Sequence, residues 1–420
     1  MSASVFSIVF AAFVLAALCW RTWLAARQAR HVARHRDHVP GDFAALIPLE
    51  AHRKAADYTL AKQRLGMIES WIVDGGVLLL LTLGGGVAAI DALSHRLLGS
   101  GHARELATVF GVMLASTLAS LPFEAWRTFG IEQRYGFNRT TPALFVADLV
   151  KGAVLAALLG TPLLLAIFWL VRETGTYWWL YAWLAWIAFT LLLVTIFPRW
   201  IAPLFNRFTP LEEGELRTRI EALLRRCGFR AEGLYVMDGS RRSSHGNAYF
   251  TGFGVNKRIV FFDTLMDRLT PPEIEAVLAH ELGHFARGHI PRLLLVRFGL
   301  ALLLLAILGW LFGEPAFYHA LHMGEPHIGA ALAGFALIVP VFTFPFQPLS
   351  SLMARRQEFE ADAFAASHAS AADLVSALAK LYRDNASTLT PDPLHSLVYD
   401  SHPPATLRID HLRRGREALP

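Results

Sequence analysis

Thr270-Pro271-Pro272-Glu273-Ile274-Glu275-Ala276-Val277-Leu278-Ala279-His280-Glu281-Leu282-Gly283-His284 is the stretch on which the reading of this chain turns. Threonine followed by two prolines and a glutamate is a helix start: Thr270 caps, Pro271 suits the first turn, and Glu273 completes a capping box. Ile274, Val277 and Leu278 then give the helix an apolar face. Further along, His280 and His284 stand four apart and project from the same side, where they can hold one Zn²⁺. Glu281 follows the first histidine directly, the place from which a carboxylate can activate a metal-bound water. The alternative is a helix that carries two incidentally spaced histidines.

Around this helix the chain is built for a membrane. Of its 420 residues 54% are hydrophobic and only 17% charged, against about 25% charged in soluble domains. Seven apolar runs are long enough to cross a bilayer: Ser4–Trp20, Trp71–Ile90, Leu106–Phe123, Leu149–Val171, Tyr177–Phe197, Leu293–Phe312 and Ile328–Phe346. Ser4–Trp20 has no basic residue before it and is followed by Arg21, Arg27 and Arg30, so it reads as a retained first span and not a cleaved signal. The basic residues sort by side. Arg21, Arg27, Arg30, Arg34, Arg36, Arg53, Lys54, Lys62 and Arg64 lie between spans one and two, and Arg127, Arg134 and Arg139 follow span three. Alternate connections hold few. The positive-inside rule then puts the N-terminus outside, the C-terminus in the cytoplasm, and the histidine helix on the cytoplasmic side just before span six. The net charge of +5 follows from this asymmetry, and no basic stripe with interleaved aromatics points to nucleic acid. Cys19 and Cys227 are too few for a disulfide scaffold or a cysteine metal site, and a reducing compartment is compatible. Asp74 and Arg297, inside apolar runs, are expected to face a watery interior or a membrane boundary.

The chain divides into an N-terminal membrane domain, 1–200, with five spans, and a second domain, 201–420, interrupted by two spans at about 293–312 and 328–346. In the second, Glu212–Cys227 reads as a helix, Gly233–Asp238, Asn247–Phe253 and Arg258–Phe262 as short strands, and Ser351–Leu381 as a long helical pattern. Two histidines leave a catalytic zinc one protein ligand short. His289, five residues after His284, lies about 140° around a continuous helix and is not expected to be a ligand. The better source is Arg355-Arg356-Gln357-Glu358-Phe359-Glu360-Ala361-Asp362, where Glu358 and Asp362 share a helix face. One of these carboxylates can bind zinc while the other orients a ligating histidine, and Glu360 points elsewhere. Taken alone, His402 reads as a surface histidine in a proline turn and Arg408 as a solvated helix charge.

With these residues in hand, the chain resembles, over nearly its whole length, the integral-membrane zinc metallopeptidases called CAAX prenyl endopeptidases. His280-Glu281-Leu282-Gly283-His284 and Glu358-Phe359-Glu360-Ala361-Asp362 are similar to the family's two metal motifs. Ser243-Ser244-His245-Gly246-Asn247-Ala248-Tyr249-Phe250 resembles its substrate-lining strand, Ile131-Glu132-Gln133-Arg134-Tyr135-Gly136-Phe137-Asn138 a signature after the third span, and Ser401-His402-Pro403-Pro404 with Arg408 its C-terminal active-site element. The resemblance implies that His280, His284 and Glu358 would bind one zinc, with Glu281 as general base and Asp362 as the carboxylate behind the ligands. His402 and Arg408 would stabilise the developing oxyanion, and Asn247, Ala248 and Tyr249 would pair with the peptide. The implied fold is mainly α, with seven transmembrane helices around a chamber and a gluzincin-like α+β peptidase domain on the cytoplasmic side. Leu407 departs from the family pattern, which often has glutamate before that arginine.

The function expected is hydrolysis of peptide bonds near the C-terminus of membrane-associated substrates, prenylated CAAX-like ones being the family's class. The partners are the peptide substrate and the lipid bilayer. A bacterial inner membrane is the expected compartment, with the endoplasmic reticulum as the alternative. Competing readings are an HtpX-type quality-control protease, for which fewer spans are expected, a catalytically idle membrane scaffold, which has no need of Glu281, and a zinc-dependent transporter, disfavoured because the histidine helix lies in a soluble segment.

Overall fold

A computed structural model describes residues 2–230, 233–251 and 258–417. Among them, six helices are long and apolar enough to cross a membrane: Ala3–Arg34, His102–Glu132, Pro142–Glu173, Gly175–Leu204, His289–Phe312 and Ile328–His368. The remaining expected crossing is not one straight helix over Trp71–Ile90. Leu49–Leu81 and Gly86–Leu98 meet there at a 56° bend, and the break falls on the run Gly84-Gly85-Gly86. The outer arm of that bent pair is held by Asp91, whose buried carboxylate takes a two-pronged contact from Arg104 (2.5 and 2.8 Å) and a hydroxyl from Thr108 (2.9 Å).

Consecutive crossings are neighbours, and the seventh packs beside the first, so the seven close into a ring in chain order. In five of the six straight crossings no more than 17% of the apolar stretch is buried. Most of those helices touch mainly their flanking neighbours, as the wall of a ring does, while the third also packs across onto the seventh, where Gly329 lies against the Glu105 backbone. The ring is plugged at the end away from the histidine helix, where Phe10, Phe168, Trp178, Leu308, Tyr318 and Ala331 share one core. Asp74, inside the ring wall, pairs with Arg21 at 2.7 Å and borders a cavity with Gln63, His395 and Tyr399. Arg297 is exposed.

The part after span five is built on a four-stranded sheet of order β1-β2-β4-β3, with β1 at Phe208–Pro210, β2 at Gly233–Met237, β3 at Ala248–Thr251 and β4 at Arg258–Phe262. β2 and β4 run parallel, and the outer pairs are antiparallel. β1 was not legible in the sequence, because three residues carry no periodicity. Residues 252 and 253, read as the end of the third strand, lie outside the described residues. The helix expected at Glu212–Cys227 spans Glu215–Arg226. It packs with β4, the histidine helix Pro271–Ala286 and the helix Ala371–Asp384 in a second core around Ile220, Leu223, Phe261, Leu278 and Leu282. The long pattern at 351–381 is two helices. The first, Gln347–His368, continues span seven through one tight turn into a single 41-residue rod, and Ser370 caps the second.

Candidate metal centre

The histidine helix starts as its sequence predicts. Glu273 reaches back to the Thr270 backbone N–H (2.8 Å), closing the capping box, and its other contacts are the Ser376 hydroxyl (2.6 Å) and Lys380 Nζ (2.7 Å). Burial works against ionisation of Glu273, but these donors outweigh it and hold the carboxyl below its ordinary value. The helix is thereby fixed in register against the helix Ala371–Asp384.

Its opposite face meets the rod Gln347–His368. The closest approach is at Gly283, where a Cβ would stand 2.9 Å from the Ala361 Cα and 3.0 Å from its carbonyl oxygen. Only glycine lets the two backbones come this near. Either side of that contact stand the chemical groups. His280 Nε2 and His284 Nε2 are 3.3 Å apart, His284 Nε2 lies 3.3 Å from Glu358 Oε1, and His280 Nε2 lies 3.5 Å from Glu358 Oε2. Donors set tetrahedrally about 2.0–2.1 Å from a common zinc are about 3.3–3.4 Å apart, so the residues fit the ion. Glu358 Oε2 is buried without a hydrogen bond; the Arg408 guanidinium faces it at 3.4 Å, and a metal ion would satisfy it further. His280, His284 and Glu358 are the one group of three or more His, Cys, Asp or Glu side chains among the described residues that can converge on a metal.

Behind the ligand atoms sits a second layer. Asp362, fully buried, takes His280 Nδ1 at 2.8 Å. Arg408, also buried, forks onto Asp362 through Nε (2.8 Å) and Nη2 (2.5 Å), and its Nη1 stands 3.4 Å from Glu358 Oε2. Burial pulls the His280 imidazole down, but Asp362 and Glu358 overcome this and lift it to about 9. The field at the ligand atoms therefore favours positive charge. Glu281 sits on the same helix with no hydrogen bond or ion pair to a described residue, and burial pushes its carboxyl up against the pull of His280 and His284.

The centre opens on a cleft of about 540 Å³ bordered by Asn247, Tyr382, Asn385, His402 and Arg408. The His402 side chain is 61% exposed, with Nε2 3.4 Å from Glu358 Oε1. β3, carrying Ala248 and Tyr249, is an edge of the sheet. It rests on the histidine helix through a Phe250–Phe285 ring contact at 5.1 Å. Asn247 precedes it and is tied to β4 by its carbonyl, which accepts from the Phe262 N–H at 3.0 Å.

The structure thus brings His280, Glu281, His284, Glu358, Asp362, His402 and Arg408 to one place, with Asn247 on the border of the cleft and Ala248 and Tyr249 following it on the edge strand β3, outside the cleft lining. Sequence reasoning overlooked Gly283, visible only as the variable position of a motif, and the contact of Glu360, which points away from the candidate ligand atoms, with His289 at 3.1 Å. His289 lies outside the group that can converge on a metal, although the helical angle used for it does not apply, because a new helix begins after Gly288.

Comparison with known proteins agrees with this centre. A family model for the CAAX prenyl protease N-terminal region, with five membrane helices, matches residues 28–207, and the model of peptidase family M48 matches 210–416. The chain is 32% identical over 447 residues to the CAAX prenyl protease 1 homolog of Homo sapiens, covering 95% of this chain and 93% of that one. It is 40% identical over 309 residues to the homolog of Arabidopsis thaliana, covering 72% of each. The crystal structure of S. mikatae Ste24p matches with a TM-score of 0.89 at 31% identity, over 97% of this chain and 98% of that one. With the His-Glu-x-x-His helix, the buried carboxylates behind it and the ring of spans above it, the chain belongs to the CAAX prenyl protease family of M48 peptidases, membrane metalloproteases.

Proposed function

We propose that the chain is a zinc endopeptidase cutting near the C-terminus of membrane-associated proteins, prenylated CAAX-like ones first among them, with one zinc held by His280, His284 and Glu358. The observation that carries the reading is the 3.3–3.5 Å spacing of the donor atoms of those three residues. The names of the relatives support the substrate class. The arginine-rich connections after spans one and three support an orientation with the N-terminus outside and the centre on the cytoplasmic face. A bacterial inner membrane is the compartment we favour over the endoplasmic reticulum. We divide the chain into a five-span membrane domain, 1–200, and a peptidase domain, 201–420, that spans six and seven interrupt.

Zinc bound at this centre supplies polarisation of the scissile carbonyl and lowers the pKa of the attacking water toward about 7. Glu281, unencumbered by protein partners, takes the proton that the water loses as its oxygen bonds to the carbonyl carbon. It delivers that proton to the amine nitrogen as the C–N bond breaks. His402, on the open side of the cleft, donates to the developing oxyanion. Arg408 acts from behind: it holds Asp362, which holds the His280 ring. The free edge of β3 at Asn247, Ala248 and Tyr249 takes the substrate as an added strand.

Purified protein is expected to carry one zinc per chain and to cleave a quenched-fluorescence prenylated CAAX peptide, losing activity to a chelator and regaining it with zinc. Glu281→Gln should keep its zinc and lose about a hundredfold to ten-thousandfold in turnover; wild-type turnover in that variant would sink the mechanism. Glu358→Ala should lose the metal, and full zinc occupancy by elemental analysis would remove Glu358 from the ligand set. Cleavage of misfolded membrane proteins with the prenylated peptide left intact would favour the quality-control reading.

A further inference from the structure

Each candidate zinc histidine has a second ring nitrogen that needs a partner. For His280 it is Asp362. For His284 it is His289, Nδ1 to Nδ1 at 2.9 Å with the rings edge to face, and His289 in turn places Nε2 3.1 Å from Glu360 Oε2. This contact exists because the helix stops. Pro271–Ala286 ends, Gly288 adopts the left-handed conformation (φ +66°), and a new helix begins at His289. An unbroken helix would carry His289 to the far side; the left-handed residue folds it back against His284. His289 is 3% exposed, while Glu360 lies on the same rod as Glu358 and Asp362 and reaches round to it.

The proton positions follow from the chemistry. If His284 gives Nε2 to the metal, its Nδ1 carries the hydrogen and donates, so His289 Nδ1 accepts. His289 then carries its hydrogen on Nε2 and donates it to the Glu360 carboxylate. All three groups are satisfied in one direction, with the negative charge at the outer end. We propose that His289 and Glu360 form a positioning relay for His284, fixing its tautomer and ring orientation as Asp362 does for His280. The relay rests on the reading of His284 as a ligand. It explains why the stretch continues Phe285-Ala286-Arg287-Gly288-His289 and why Glu360 stands between two site carboxylates.

The test is zinc affinity of the purified full-length chain, by competition with a chromophoric chelator, together with the visible spectrum of the cobalt-substituted protein. His289→Ala should weaken zinc binding about tenfold to a hundredfold and shift the cobalt bands. His289→Asn, which keeps an acceptor oxygen near the Nδ1 position, should recover most of the affinity. Glu360→Ala, at a half-exposed position that does not endanger folding, should give a smaller loss and a cobalt shift of the same sense. Wild-type zinc affinity and an unshifted cobalt spectrum in Glu360→Ala would overturn the link to Glu360, and the same result in His289→Ala the whole relay. Full zinc retention in His284→Ala would instead overturn the ligand reading beneath it.

Discussion

At the scale of single residues, the centre depends as much on a missing side chain as on the groups that are present. Gly283 lets the histidine helix approach the Ala361 backbone to a distance that any Cβ would block. Two turns of that close contact carry His280 and His284 to Glu358. Gly283→Ala should therefore push the helices apart at a cost of about 1–3 kcal/mol, and zinc affinity should fall although no ligand has changed. Zinc held as tightly as by wild type would show that the approach is not what sets the site. Asp362 and Arg408 are a comparable case. Arg408 read alone as a solvated helix charge, yet buried with Asp362 it makes a bidentate pair, and removing one member takes from the other its closest charged partner.

At the scale of elements, two devices hold the site helices. One is the capping box of the histidine helix, legible in the sequence because Thr270, Pro271 and Glu273 act within one turn. Its extension to Ser376 and Lys380 was not legible, since those donors are 103 and 107 residues away. Glu273 is ionised more easily in the folded chain than in the unfolded one. Its contribution is therefore present above the ordinary glutamate value of 4.5 and disappears as the pH falls through the lower folded value. Glu273→Gln should cost about 2 kcal/mol of stability near neutral pH, and the gap to wild type should narrow below pH 4.5. Denaturant melts of the detergent-solubilised protein at several pH values would show it; a constant gap would mean that charge plays no part. The second device is the 41-residue rod that carries Glu358 out of span seven. The proposed third ligand is thus placed by the continuation of a membrane helix, and its register depends on how that helix sits in the ring.

At the scale of the whole molecule, the ring of spans and the peptidase part are stitched together beside the edge strand β3. The connection after span three bonds to the segment that leads into β3: Ser244 N–H to the Phe137 carbonyl (3.0 Å) and Arg139 N–H to the Arg242 carbonyl (3.0 Å). His245 stacks on Phe137 at 4.3 Å, faces Glu132 at 3.4 Å and touches Asn385, while Glu132 is also bonded by Tyr58 from the first long connection. Asn385 further holds Gly246 by both its N–H and its carbonyl. Three separate stretches of chain thus aim one short strand. His245→Ala should loosen that strand without touching the metal, raising KM about fivefold to tenfold, equivalent to one lost contact of about 1 kcal/mol, at unchanged zinc content. A loss confined to kcat would place His245 in the chemistry instead.

The sequence by itself determined what is local. Apolar runs announce spans because a bilayer core accepts little else. Thr270 to His284 announces a capped helix with two histidines on one face because both facts lie within a few turns. The resemblance of its motifs then named a family. Only the tertiary structure decided how distant parts meet. It bent the second span at its glycines, merged span seven with the Glu358 helix, turned His289 back through Gly288, and buried Arg408 against Asp362. Each of these depends on which surfaces pack when the seven crossings close their ring, and such packing leaves no periodic mark on the residues that it brings together.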